Sequence, residues 1–297
     1  MAVKQGQYMS QKSIAARSSQ LGIKGQDRMR RIVSHLILAF FGVVVGYPVL
    51  WMFIASFKSG GELMSNPWGL PANLALTNYT TAWAAGQLGP ALRNSIIVAL
   101  ATVFLVLVIS MLAGYALARF RLRFSVAIFL MFIVTMQAPV PIIPLYILIA
   151  KFNLIDTLPG LILPTVANGI PLSIFIFRAF FRQIPAELID AAVVDGASRF
   201  GAFWRIVLPI STPAIATVGI LQFLGAWNDF FNPLVLLHSA NTRTLPVAIQ
   251  SFSYTFGRTN WEQVFAALSI ASIPMIIVYL LLQRWFIRGL TAGAVKG

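Results

Sequence analysis

The chain contains no cysteine, which excludes disulfides, thiolate nucleophiles and cysteine metal sites. Its 2 histidines, His35 and His238, lie in different segments and do not suggest a shared metal. Acids are scarce as well, with 8 Asp and Glu in 297 residues. An enzyme needs a clustered base, nucleophile or metal set, and little material exists here to build one. Neither a GxxxxGK[ST] phosphate loop nor a GxSxG nucleophile elbow occurs, so the chain has no nucleotide engine of its own. No catalytic residue and no metal site is assigned.

Charge of both signs is also in short supply. Charged residues make up 10% of the chain, against about 25% in soluble proteins. Hydrophobic residues reach 58% and the mean hydropathy is +0.81. A single soluble core cannot hide that much apolar surface, so the chain belongs in lipid. The net charge of +14 would by itself suggest nucleic acid. No compact basic and aromatic patch supports that. Most basic residues instead flank apolar runs, as membrane topology requires.

A membrane span needs about 20 apolar residues. Six stretches qualify: Leu36–Ala55, Ser95–Ala118, Phe124–Ala150, Leu158–Phe177, Ile210–Leu237 and Val264–Leu282. Pro139, Pro141 and Pro144 are expected to break the third, and Pro171 the fourth. An even number puts both termini on one side. Of the 22 Lys and Arg residues, all but Lys58, Arg93, Lys151, Arg243 and Arg258 fall on the side of the termini, which is therefore cytoplasmic. The expected organisation is a cytosolic, partly disordered tail over 1–31, a membrane domain over 32–288 and a cytosolic tail over 289–297. Segments 57–94 and 238–263 lie outside, and 183–209 lies inside. A short interfacial helix is expected around Tyr79–Ala85.

One internal stretch does not fit a simple bundle. Pro185–Pro209, IPAELIDAAVVDGASRFGAFWRIVLP when read from Ile184, carries three acids and two arginines yet is amphipathic. Pro185 suits a first helical turn, where its missing N–H is not needed. Glu187 and Asp190 then sit three apart near the positive end of the helix dipole. Leu188, Ile189, Ala192 and Val193 form an apolar face. Gly196 can take a positive φ and stop this helix, and Ser198 can cap a second. In that second helix Phe200, Phe203, Trp204 and Val207 recur as an apolar stripe, and Pro209 separates it from the fifth span. A helix lying on anionic lipid would favour Lys and Arg, and the first helix has neither. Its acids point to a protein groove with basic residues.

The segment resembles the EAA loop of ATP-binding-cassette importer permeases, whose pattern is E-A-A, three residues, G, nine residues, I-x-L-P. Here it reads Asp190-Ala191-Ala192, Gly196, then Ile206-Val207-Leu208-Pro209, with Asp in place of Glu. Gly114–Arg123, Asn78–Trp83, Asn94–Thr102, Trp227–Leu237, Thr244–Ile249 and Gly289–Gly297 are similar to recurring segments of the carbohydrate-uptake subfamily, which includes the smaller permease of the maltose importer. The resemblance covers Val33 to the end. It implies an all-α, type I importer permease of six spans in a bacterial or archaeal cytoplasmic membrane. It implies a second permease, two ATPase subunits that bind Mg-ATP, an extracytoplasmic sugar-binding protein and a sugar substrate. This chain would bind no cofactor and no nucleic acid. By the same resemblance Glu187, Asp190, Ala191, Ala192, Gly196, Ile206, Leu208 and Pro209 couple the ATPase to the spans. Tyr254, Phe256, Arg258 and Trp261 would lie on the loop that meets the binding protein. The tail, with Gly289, Gly293 and Lys296, would reach the ATPase interface as a flexible segment.

Intramembrane polar groups usually face a cavity or a partner. Gln137, Asn168, Gln222, Asn228 and Asp229 are the pathway candidates, with helix-to-helix hydrogen bonding the competing role for each. A stand-alone secondary transporter or channel, and a lipid-modifying membrane enzyme, are the rival functions. The first is disfavoured by the lack of internal repeats, the second by the shortage of acids and nucleophiles.

Overall fold

The structure is a computed structural model that describes residues 2–120, 123–137, 141–253 and 259–294. Side chains are described from 29 to 285 within these, other than Gln137, Arg199 and residues 252–253. Every described element is helical: α1 Ala2–Ala55, α2 Gly60–Ser65, α3 Thr77–Ala85, α4 Leu88–Arg119, α5 Ser125–Gln137, α6 Ile142–Lys151, α7 Leu158–Phe181, α8 Ala186–Val194, α9 Arg199–Ala202, a π-helical turn Phe203–Val207, α10 Leu208–Ile210, α11 Thr212–Asn228, α12 Phe231–Leu236, α13 Leu245–Ser253 and α14 Trp261–Ala294. Among the described residues, 4 helical stretches are long and apolar enough to cross a membrane: Met29–Ala55, Leu88–Arg119, Leu158–Phe181 and Trp261–Trp285. The helix α3 falls where the short interfacial helix is expected.

The remaining two expected spans are interrupted. The third is two short helices, α5 and α6, on either side of the Pro139–Pro141 stretch, where missing N–H groups cannot continue a helical ladder. In the fifth, Phe200–Ile210 and Thr212–Asn228 meet at 74°. The break lies at Ser211 rather than at Pro209. Both the Ser211 N–H (3.0 Å) and its hydroxyl (2.6 Å) donate to the Val207 carbonyl, and Pro213 opens α11 in its first turn. The expected break of the fourth span does not occur: α7 runs unbroken through Pro164 and Pro171. Pro171 removes only the N–H that would reach Ala167 O, and nearby the Ser173 hydroxyl (2.8 Å) and the Gln222 amide (3.3 Å) donate to Gly169 O, bracing α7 against α11. Both tails differ from expectation too. The first helix begins at Ala2, through a stretch rich in Gln, Ala, Lys and Arg, which favour helix, and α14 continues through Gly289 and Gly293 to Ala294. Lys296 lies outside the described residues.

The helices α4 and α7 form the central pair. A Cβ at Gly114 would stand 2.9 Å from the Phe177 Cβ and 3.2 Å from the Arg178 backbone nitrogen, so glycine sets their approach. One end of the bundle is packed by α3, α4, α11, α13 and α14 around Leu88, Phe223, Trp227 and Leu245. The other end is packed by Tyr115, Phe177, Phe181, Phe203 and Val207. The first helix is different: its apolar window has 0% of its residues buried. It meets the bundle near Trp51, whose ring stands edge-on to Phe265 at 5.2 Å and whose indole N–H donates to Pro67 O (2.8 Å).

Candidate functional site

The Pro185–Pro209 segment is built from its caps. Pro185, with φ −57° and ψ 137°, precedes α8, and Glu187 sits in the first turn. At the other end Gly196 has φ +87°, its N–H donates to Val193 O (3.1 Å) and the Ala197 N–H reaches back to Ala192 O (2.9 Å). This pair of bonds is a Schellman motif, which consumes the last free carbonyls and needs the left-handed residue. The Ser198 hydroxyl then accepts the Gly201 N–H (3.0 Å), capping the next helix as its sequence predicts.

The expected apolar faces are only half inward. In α8, Ile189 is buried and Ala192 packs beside it, but Leu188 and Val193 are exposed. In the second helix Phe203 and Val207 are buried, whereas Phe200 is 62% and Trp204 50% exposed. A π turn follows at Phe203–Val207. The Leu208 N–H bonds five residues back to Phe203 O, so side chains after Phe203 rotate less per residue about the axis than in an α-helix. Tyr115 of α4 receives Phe203 at 4.8 Å and Phe181 at 5.8 Å between ring centroids. Arg119 completes the joint: its guanidinium donates to Phe181 O (2.7 Å) and to Ile184 O, at the C-terminal end of α7.

The opposite face is free. Glu187, Asp190 and Ala191 are exposed, as are Gly196 and Pro209, while Ile206 and Leu208 are half-buried. Among the described residues neither Glu187 nor Asp190 makes a hydrogen bond or ion pair. Asp190 borders a small cavity of about 160 Å³ that Tyr115, Arg119 and Ile189 also line.

Four of the five pathway candidates come together. Asn168, Gln222, Asn228 and Asp229 line one cavity of about 450 Å³ with Thr165 and Asn232, between α6, α7, α11 and α12. The side chain of Gln137 lies outside the described residues. Gln222 also joins helices: its amide donates to Gly169 O (3.3 Å) and to the Ser173 hydroxyl (3.1 Å). A Cβ at Gly169 would fall 2.3 Å from Gln222 Oε1, so the glycine makes room for that amide. Asp229 ends α11 and accepts from the Asn232 N–H (3.2 Å) and side-chain amide (2.8 Å), opening α12.

The long segment after His238 is not a plain loop, since it contains α13. Tyr254, Phe256 and Arg258 lie outside the described residues. Trp261, 48% exposed, opens α14 against the Phe265 ring at 6.1 Å. Asn78, which opens the similar segment Asn78–Trp83, is buried and its amide donates to Ser56 O (2.9 Å) and Lys58 O (2.8 Å), a structural role.

Residues 110–292 match the family model of the binding-protein-dependent transport system inner membrane component. The chain belongs to that family. Probable ABC transporter permease protein YurM of Bacillus subtilis is 36% identical over 265 residues, 88% of this chain and 87% of that protein. Diacetylchitobiose uptake system permease protein NgcG of Streptomyces coelicolor is 33% identical over 273 residues, 91% and 90% of the two chains. Arabinooligosaccharides transport system permease protein AraQ of Halalkalibacterium halodurans is 35% identical over 87% of this chain and 94% of its own. A solved bacterial ABC transporter involved in alginate import has a chain that superposes with TM-score 0.75 at 25% identity, covering 88% of this chain and 98% of that one. The permease is thus a non-catalytic, multi-pass inner-membrane subunit of an ABC transporter with the type I importer permease fold.

Sequence reasoning missed several residues that organise the permease. Arg119 reads in the sequence as a flanking charge within a similar segment, yet it ties α4 to the end of α7. Asp156 carries no motif, and Asn94 and Ser95 enter the sequence reading only as part of a similar segment and a span start, yet all three bond the segment after α12. The signal for Asp156 was its rarity, one of 8 acids, placed directly before the capping Thr157.

Proposed function

We propose that this permease is one half of the membrane pathway of an ATP-driven importer for a neutral sugar or oligosaccharide. The membrane is crossed six times: by α1, α4, the α5–α6 pair, α7, the bent Phe200–Asn228 pair and α14, with both termini in the cytoplasm. A second permease, two ATPase subunits that hold Mg-ATP and an external sugar-binding protein complete the machine.

The observation that carries this reading is the two-sided Pro185–Pro209 loop. One side is buried in the aromatic cluster of α4 and α7, and the other presents Glu187 and Asp190 with no partner among the described residues. A buried anchor transmits force, and free carboxylates suit a basic groove on the ATPase. The cavity supports the solute class. Its lining offers neutral amides and hydroxyls with one carboxylate, Asp229, and neither Lys nor Arg among the residues that face it. Sugar hydroxyls pair with such groups, while a phosphate or uronate beside Asp229 would be repelled.

The test is co-purification and uptake. Asp190→Lys is expected to strip the ATPase from the detergent-purified complex and lower ATP-dependent sugar uptake about tenfold or more, the scale of one charge-assisted contact. Full assembly and uptake in that variant, or transport by the lone chain without an ATPase, would overturn the reading. Neutral disaccharides should compete for uptake, and sugar phosphates should not.

A further inference from the structure

The turn between α6 and α7 holds a knot that the function so far does not use. Asp156 sits there at φ +60°. Its backbone N–H donates to Leu236 O at the end of α12 (2.8 Å). Its carboxylate gathers the next residues: Oδ1 accepts from His238 N–H (2.8 Å), Ser239 N–H (3.0 Å) and the Thr242 hydroxyl (2.5 Å), and Oδ2 accepts from the Ser239 hydroxyl. These donors hold the carboxyl well below the usual carboxylate range, the Ser239 hydroxyl contributing most and Thr242 next.

The hook 238–243 is tied from a second side by α4. The Asn94 amide donates to Asn241 O (2.7 Å) and Arg243 O (3.1 Å), and the Leu245 N–H donates to the Ser95 hydroxyl (2.8 Å). Beneath it Leu236 and Leu237 are buried with Val98, Ile149 and Leu161. Upstream, α12 carries Asn232, which lines the polar cavity together with Leu145 of α6 and Pro164 of α7. The elements that Asp156 joins are therefore walls of that cavity.

We propose that Asp156 is a positioning residue for transport: it fastens α12 and the 238–243 hook to the α6–α7 corner, so that these cavity walls respond as one body when the binding protein engages. The transport part rests on the importer reading above; the fastening does not. A carboxylate with several charge-assisted bonds suits this role, because a loop held by few contacts opens locally at little cost. Function placed on such a loop needs rigid support.

The experiment uses the assembled transporter in lipid nanodiscs. The chain lacks cysteine, so a nitroxide on Ala240→Cys, an exposed site inside the hook, reports its mobility directly. A motionally restricted spectrum is expected with Asp156 and a mobile one in Asp156→Ala. Asp156→Asn keeps an acceptor for the two N–H groups and tolerates the left-handed backbone, so it should give an intermediate spectrum. The binding-protein concentration for half-maximal ATPase stimulation should rise roughly tenfold in Asp156→Ala, with the rate at saturation changed less than about twofold. An unchanged spectrum in both variants would overturn the fastening. A mobile label with an unchanged half-saturation would overturn the positioning role. Absence of any binding-protein stimulation with Asp156 intact would count against the importer reading alone, because the spectra stand without it.

Discussion

The two ends of the permease are held by opposite chemistry. At the Pro185–Pro209 end, packing does most of the holding: Tyr115, Phe181 and Phe203 meet ring to ring beside the Arg119 bonds to Phe181 O and Ile184 O, and Glu187 and Asp190 have no partner among the described residues. At the hook end, hydrogen bonding does it: one carboxylate, one amide and one hydroxyl immobilise residues 238–245. Apolar burial between rings is only weakly directional, with several edge-on and tilted geometries of similar energy, whereas multiple bonds on one carboxylate fix a single geometry. The end proposed to receive a moving ATPase is thus greased, and the end proposed to meet a soluble partner is pinned.

The most severe way to break this contrast is to hollow out the aromatic joint. Phe203→Ala removes a fully buried ring and should cost about 3–5 kcal/mol, read as a lowered melting temperature in detergent, with the hook spectrum unchanged. Next is Gly196→Val, which places a β-branched residue in the left-handed region at a cost of about 2 kcal/mol or more. It should re-aim Glu187 and Asp190 and reduce ATPase co-purification while Gly196→Asn retains most of it. Ser198→Ala loses one cap and should cost about 1 kcal/mol, visible as faster amide exchange at Gly201. The smallest expected effect is that of pH on the hook. A carboxyl held below its free pKa contributes stability that is fully present above that free value, about 3.9. Since the loss begins only as pH falls further toward the folded value, the Ala240 spectrum should be the same at about pH 8 and pH 5.

The contrast also explains what was legible in the sequence. The Pro185–Pro209 loop could be read because its signals are local: a proline before the first turn, a glycine after the last, a serine cap. The apolar spans could be read because lipid demands long runs. The broken third span announced itself through Pro139 and Pro141, whereas Pro144, expected to break it as well, sits in the first turn of α6. What could not be read depended on neighbours distant in sequence. Asp156 is bonded to residues 82 and 86 positions away, and nothing in its own surroundings names them. The sequence puts the bend at Pro209, since proline is the usual breaker, yet Pro209 fits inside α10 and the break falls at Ser211. Pro171, by contrast, is carried inside an unbroken α7, and the Ser173 and Gln222 side chains that brace Gly169 O beside it cannot be read as partners from the sequence.

The π turn at Phe203–Val207 has a consequence for phase. Each α-helical residue turns the chain by about 100°, so the wider turn shifts the angular origin of everything after it by about one residue. A single helical wheel drawn across Phe200–Asn228 therefore assigns faces wrongly on one side or the other of the turn. Removing one residue between Phe203 and Val207 would close the turn to an ordinary helix and bring Leu208 and Pro209 around to a new azimuth. Length in that stretch is consequently as strongly constrained as residue identity, and an insertion or deletion there is equivalent to rotating the whole shaft that follows.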